Sequence, residues 1–151
     1  MKHVNPADVL HAAISRLKEV YVWGAKGRKM WTLDGIKDTS AVAGVQVAFD
    51  CSGLVTSCIL EAGGDDMRFT HNTDLLKAEL PPVQNPPATQ GIFVVFFPGH
   101  VGIAYTLGDK WFIVEAAGGD HTTTKPTPGA YVRASKFNIT KRPPTAWREL
   151  P

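Results

Sequence analysis

Cysteine is scarce in this chain: there are two in 151 residues, Cys51 and Cys58. So few exclude a disulfide scaffold, and no Cys or His pairs stand at zinc-ligand spacing, which argues against a metal site. If both lie on one helix, their Cα atoms are about 10 Å apart, too far to bridge, so both are expected to be free thiols. Long apolar runs are missing as well. No window reaches the roughly 18 consecutive apolar residues of a membrane span, and the opening MKHVNPADVLHAAISRLKEV lacks the unbroken apolar centre of a secretion signal. The chain is therefore expected to be synthesised in the cytoplasm, without membrane insertion. Nor is charge of one sign in excess. Sixteen Lys and Arg against 14 Asp and Glu leave a net charge of +2, and the basic residues are scattered rather than gathered with aromatics, which argues against nucleic acid as a partner.

What is present has the composition of a globular protein. With 44% hydrophobic and 20% charged residues the chain fits neither disorder nor a coiled coil. A length of 151 residues suffices for a core without disulfides or metals. We read residues 1–151 as a single domain, and nothing in the pattern asks for a cofactor.

Asn5 can cap a first helix, Pro6 suits its first position, and Val9, Leu10, Ala13, Ile14 and Leu17 make an apolar face. The following YVWGAKGRKMWTLDGIKDTSAVAGVQVAF has no sustained period and is read as a long loop, at most with a short strand or helical turn; such loops often carry function. A second helix opens near Cys51 with Asp50 or a neighbour as cap, takes its period from Leu54, Val55, Cys58, Ile59 and Ala62, and ends at Gly63-Gly64. HNTDLLKAEL gives a shorter helix, and PPVQNPPATQG is read as a connector because of its prolines. The pattern then changes to strands at GIFVVFF, HVGIAYTLG, KWFIVEAA and AYVRASKF, with a hairpin at LGDK. Helices first and an antiparallel sheet after predict an α+β fold.

Chemistry concentrates at the start of the second helix. A cysteine in a first turn meets exposed N–H groups and the positive end of the helix dipole, which favour the nucleophilic thiolate. Cys58, on the apolar face, is expected to be core. A cysteine nucleophile needs a base, most often histidine. His3, His11 and His71 read as surface residues, whereas His100 opens a strand in which Gly102 and Ala104 leave room on its face. A third polar group normally fixes the imidazole. Glu115 interrupts the apolar WFIVEAA and needs a partner if buried, so the candidate triad is Cys51, His100 and Glu115; His121, in a loop after AAGGD, is the alternative third member.

YVWGAKG, FDCSGLV and GHVGIA, in this order and followed by a strand with a polar residue, resemble the motifs of the NlpC/p60 cysteine peptidases, bacterial relatives of papain. The resemblance runs from about Tyr21 to Gly119. It implies a papain-like fold in which N-terminal helices, including a central helix bearing the nucleophile, pack on an antiparallel sheet. It also implies hydrolysis of the peptidoglycan stem peptide, commonly between γ-D-glutamate and diaminopimelate. Carried over by resemblance, Cys51 is the nucleophile, His100 the general base and later acid, and Tyr21 lines the oxyanion and substrate side. Asp50 and Ser52 flank the nucleophile where family members contact the stem peptide. Two positions depart from the family pattern: Glu115 stands where His is commonest, and PPATQGIFVVFF replaces the usual Pro-Gly-Asp turn.

Other readings keep the Cys–His pair or the fold alone. A CHAP-like amidase would cut between muramic acid and L-alanine. A phage tail or assembly module would retain the fold as a structural part. HNTD, LPPV and EAAGGDHTTT resemble phage versions of the fold, which implies action on the wall after release by a holin or carriage on a tail. Substrate choice is expected to depend on the 24–48 and 120–130 loops.

Overall fold

The computed structural model describes residues 1–31, 35–36, 47–119, 121–123 and 126–151. Parts of both predicted specificity loops, 32–34, 37–46, 120 and 124–125, lie outside the described residues.

Helix α1 spans Pro6–Ser15, with the Asn5 side chain accepting from the Ala7 N–H and Pro6 in the first turn, where its missing donor costs nothing. Its buried face is Val9, Ala12 and Ala13, while Ile14 is exposed, so the inward stripe is rotated from the predicted one. Helix α2, Cys51–Glu61, is the central element, packing on α1 and on the sheet. Helix α3, Thr73–Glu79, starts at its cap Asn72, whose side chain accepts from the Leu75 N–H.

The long stretch before α2 holds more strand than predicted: β1 (Val20–Tyr21), β2 (Lys26–Trp31), β3 (Gly35–Ile36) and β4 (Val47–Phe49). Strands β1 and β4 run parallel, so the sheet is antiparallel apart from this one pair among the described residues. The main strands fall where the sequence puts them: β6 (Ile92–Phe97), β7 (His100–Leu107), β8 (Lys110–Ala117) and β9 (Tyr131–Lys136). Gly108 takes the positive φ of 62° that the β7–β8 turn requires.

The proline-rich connector is corrected. Pro82–Val83 forms β5, paired with the unpredicted β10, Ala146–Arg148. The strand order is β3-β2-β4-β1-β9-β8-β7-β6-β10-β5. Since β5 is an edge strand, a proline there need not break a ladder.

Both faces of β6 are covered, so GIFVVFF reads as a continuous apolar run rather than an alternation. Val94 and Phe96 join the main core with Leu54, Val55 and Ile59 of α2. Phe93, Val95 and Phe97 point the other way, into a second cluster with Ala104, Ile113, Phe137 and the fully buried Trp147. Burial of this kind contributes about 1.5–3 kcal/mol for each large apolar side chain, and it fixes the strand ends that carry the polar residues described next.

Candidate functional site

Strand β4 delivers the chain to Asp50, which caps α2: its Oδ1 accepts from the Gly53 N–H at 2.6 Å. Cys51 therefore takes the first helical position, on a turn whose leading N–H groups have no partner within the helix. Gly53 permits this geometry, because a Cβ there would collide with the Ala25 carbonyl and the Asp50 carboxylate. The Lys26 Nζ lies 2.9 and 2.8 Å from the two Asp50 oxygens and 2.7 Å from the Ser52 Oγ. All three ammonium protons thus have acceptors inside this cluster. Asp50 and Ser52, expected at the substrate, line the cleft beside Cys51 and are at the same time held by Lys26 and the helix cap.

His100, at the start of β7, is near enough to Cys51 for each side chain to shift the ionisation of the other. By strand alternation His100, Gly102 and Ala104 share a sheet face with Phe97, Ile113 and Glu115. The room left by Gly102 is taken by its neighbours: a Cβ there would press on Ile113 and on the Glu115 Cβ. Glu115 is fully buried, and its Oε1 lies 2.7 Å from the His100 Nε2. With Nε2 so occupied, Nδ1 is the nitrogen left for the sulfur.

A second cation shares Glu115. Arg142 donates from Nη1 to Oε2 at 2.7 Å and from Nη2 to Oε1 at 2.6 Å, a two-pronged hold on the carboxylate. Its guanidinium carbon stands 4.0 Å over the Phe97 ring, which also packs against the His100 imidazole at a 5.9 Å centroid separation.

These contacts set the protonation states. Burial pushes the Glu115 carboxyl up, but Arg142 and then His100 outweigh it and bring the group down to about 2. Burial lowers His100, but its interactions with Cys51 and Glu115 raise it to about 9. Burial raises the Cys51 thiol, yet the neighbouring His100, with help from Thr73, lowers it on balance below its ordinary value. Both shifts run toward a thiolate beside an imidazolium. Cys58 is the contrast: deep burial pushes it up to about 12, and it is an inert thiol of the core.

The sulfur opens on a cleft of about 330 Å³. Tyr21 and Trp23 line one part of it, with the His121 ring stacked on both at centroid separations of 6.2 and 6.4 Å. His121 is thus a cleft residue stacked on aromatics, while the position beside the His100 Nε2 belongs to Glu115. Tyr21 lies over Gly119, where any Cβ would enter its ring, and burial with the nearby Cys51 and Asp50 charges raises its phenol. Thr73, at the start of α3, brings its Oγ1 to 3.7 Å from the Cys51 Sγ, and Asp74 lines the same cleft.

Sequence reasoning missed Lys26, Thr73 and Arg142. The demand that Glu115 be paired if buried was a usable signal, since one imidazole satisfies only part of a carboxylate with about four acceptor sites. Which arginine would answer was not readable from a position 27 residues downstream in NITKRPPT.

No protein-family model matches the chain, and no curated protein matches it significantly. Solved structures do. The peptidoglycan hydrolase RipB from Mycobacterium tuberculosis is 23% identical with a TM-score of 0.60, the match covering 95% of this chain and 63% of that one. The P60 domain of an antigen from M. avium subspecies paratuberculosis is 21% identical at a TM-score of 0.60, covering 95% and 92%. RipD from M. tuberculosis, a non-catalytic NlpC/p60 domain protein adapted to peptidoglycan binding, is 18% identical at 0.60 and is matched over 100% of both chains. The chain therefore has the NlpC/p60 fold.

Proposed function

We propose that this NlpC/p60-fold chain is a peptidoglycan hydrolase that cuts a peptide bond of the stem peptide, with γ-D-glutamyl-diaminopimelate as the preferred bond. One observation carries the reading: Cys51, at the positive end of a buried helix and open to a cleft, is coupled to a neighbouring histidine that a buried carboxylate holds from behind.

In this mechanism the Cys51 thiolate attacks the scissile carbonyl carbon, and the electron pair moves onto its oxygen. Free N–H groups of the first turn of α2, that of Cys51 first, face the developing oxyanion. Tyr21 lines that side. Collapse of the intermediate breaks the C–N bond as the imidazolium of His100 gives its proton to the leaving amine, leaving a thioester. Neutral His100 then takes a proton from water, which attacks the thioester, and the sulfur departs as thiolate. Glu115 keeps the imidazole in the tautomer that points Nδ1 at the sulfur.

The fold by itself does not imply this activity, since RipD shares it and is non-catalytic. What favours hydrolysis here is the complete Cys51–His100–Glu115 set. The phage-like segments favour delivery by a lysis or tail assembly.

The deciding experiment is digestion of diaminopimelate-type peptidoglycan with wild type and Cys51→Ala, followed by mass spectrometry of the soluble fragments. Fragments ending in γ-D-glutamate, from wild type alone, are expected. Free L-alanine amines with intact muramic lactyl groups would instead assign the amidase reaction. No release by either protein, together with retention on insoluble peptidoglycan, would replace the hydrolase with a binding module.

A further inference from the structure

The feature that the triad leaves unused is the guanidinium behind it. Arg142 reaches Glu115 from the segment between β9 and β10, and its Nη2 and the His100 Nε2 both lie on the same oxygen, Oε1, at 2.6 and 2.7 Å. Glu115 is fully buried, whereas the Arg142 side chain is 41% exposed. The fork is held in place by the Phe97 ring beneath it. A carboxylate that faced His100 alone would direct its whole charge at the imidazolium. Here a fixed cation stands on the same two oxygens.

We propose that Arg142 is a positioning residue of the Cys51–His100 pair: it keeps the buried Glu115 ionised and oriented while offsetting part of its negative charge, so that His100 can release its proton to the leaving group. This rests on the catalytic reading above. A stronger unshared carboxylate would hold the imidazolium proton too tightly for general acid catalysis, and an uncharged one would not orient the ring.

The charged groups around His100 are few among the described residues. Cys51 faces it from α2, with Asp50 and Lys26 forming a mutually neutral pair beside the sulfur, and the Tyr21 phenol, on β1, is near Cys51. Glu115 faces it from β8, with Arg142 behind. On β9, Arg133 stands in register with Glu115 but is exposed. Removing Arg142 therefore leaves Glu115 as the uncompensated charge next to His100. The sign follows: the imidazolium becomes harder to deprotonate, and the alkaline limb of the pair moves up.

The test is the pH dependence of Cys51 alkylation by iodoacetamide, which needs no substrate, beside the pH dependence of kcat for hydrolysis. In Arg142→Met the alkaline limb is expected to rise by about 1 pH unit, with kcat falling more than KM changes. Arg142→Lys, a point charge without the fork, should return the limb most of the way. An unmoved or lowered limb in folded Arg142→Met would overturn the proposal. If that variant fails to fold, Glu115→Gln is compared with Glu115→Gln/Arg142→Met, which leaves no buried carboxylate unpaired. Both should show one lowered limb, since Arg142 acts through Glu115. A further shift of similar size on removing Arg142 would refute that route. A wild-type Cys51 no more reactive than an ordinary thiol would sink the catalytic reading itself.

Discussion

Replacing Asp50 disturbs two interactions that can be weighed separately. In Asp50→Ala, α2 loses its cap, the 2.6 Å bond to the Gly53 N–H, at a cost of about 1 kcal/mol. The Lys26 ammonium, on a side chain only 17% exposed, also loses both carboxylate oxygens. Breaking a wholly buried pair costs about 3–5 kcal/mol, but Lys26 keeps the Ser52 Oγ and some solvent, so about 1–2 kcal/mol is a suitable figure here. The sum is about 2–3 kcal/mol, a fall in Tm of about 5–10 °C for a chain of this size. Asp50→Asn preserves the cap acceptor and isolates the ion pair, so it should lose about 1–2 kcal/mol. Lys26→Met should lose a similar amount, and Lys26→Met/Asp50→Asn less than the two together. Urea denaturation of the four variants measures all of this. Strict additivity of the double variant, or an Asp50→Ala as stable as wild type, would refute the reasoning and leave Asp50 free to contact a substrate.

Further consequences are open to measurement. Gly53→Ala should destabilise the protein by about 2 kcal/mol or more, because its methyl group would meet backbone at Ala25 rather than a yielding side chain; equal stability in thermal denaturation would contradict that packing. Under native conditions iodoacetamide should label Cys51 and spare Cys58, with both labelled in denaturant, and peptide mapping distinguishes the two. Glu115 is lowered to about 2 from an ordinary value of 4.5, so the stability it supplies is fully present above pH 4.5 and is lost as pH falls through 2. This amounts to about 3 kcal/mol; in acid titrations the stability advantage of wild type over Glu115→Gln should therefore shrink as pH falls through that window. Trp147→Ala, which empties the centre of the second cluster and leaves the Asn85 Oδ1 without its 2.8 Å donor, should cost about 3–5 kcal/mol by denaturant titration.

The elements most legible in the sequence are those whose signal is local. Asn5-Pro6 and Asp50 announce helix starts because a cap is decided by two or three adjacent residues, and both act as caps in the structure. GIFVVFF, HVGIAYTLG and KWFIVEAA carry enough β-branched and aromatic character to form β6, β7 and β8. The six-residue β2 and the short strands β1, β3, β4, β5 and β10 have no such run. Each exists because a neighbouring strand offers an edge, which is a property of the assembled sheet. Pro82 shows this well, since proline argues against a strand until the strand is known to lie at the margin.

The same division runs through the site. The sequence by itself determined which groups could react: a cysteine at a capped helix start, a histidine opening a strand, and an acid inside an apolar one. Each can be identified from its immediate neighbours. Tertiary structure alone decided their company. It put Arg142 behind Glu115, Lys26 across Asp50 and Ser52, Thr73 near the sulfur and His121 on the aromatics of the cleft. A buried charge fixes that it must have partners, through the cost of leaving it unpaired, but the partners come from whichever segments the core packing brings within hydrogen-bond reach.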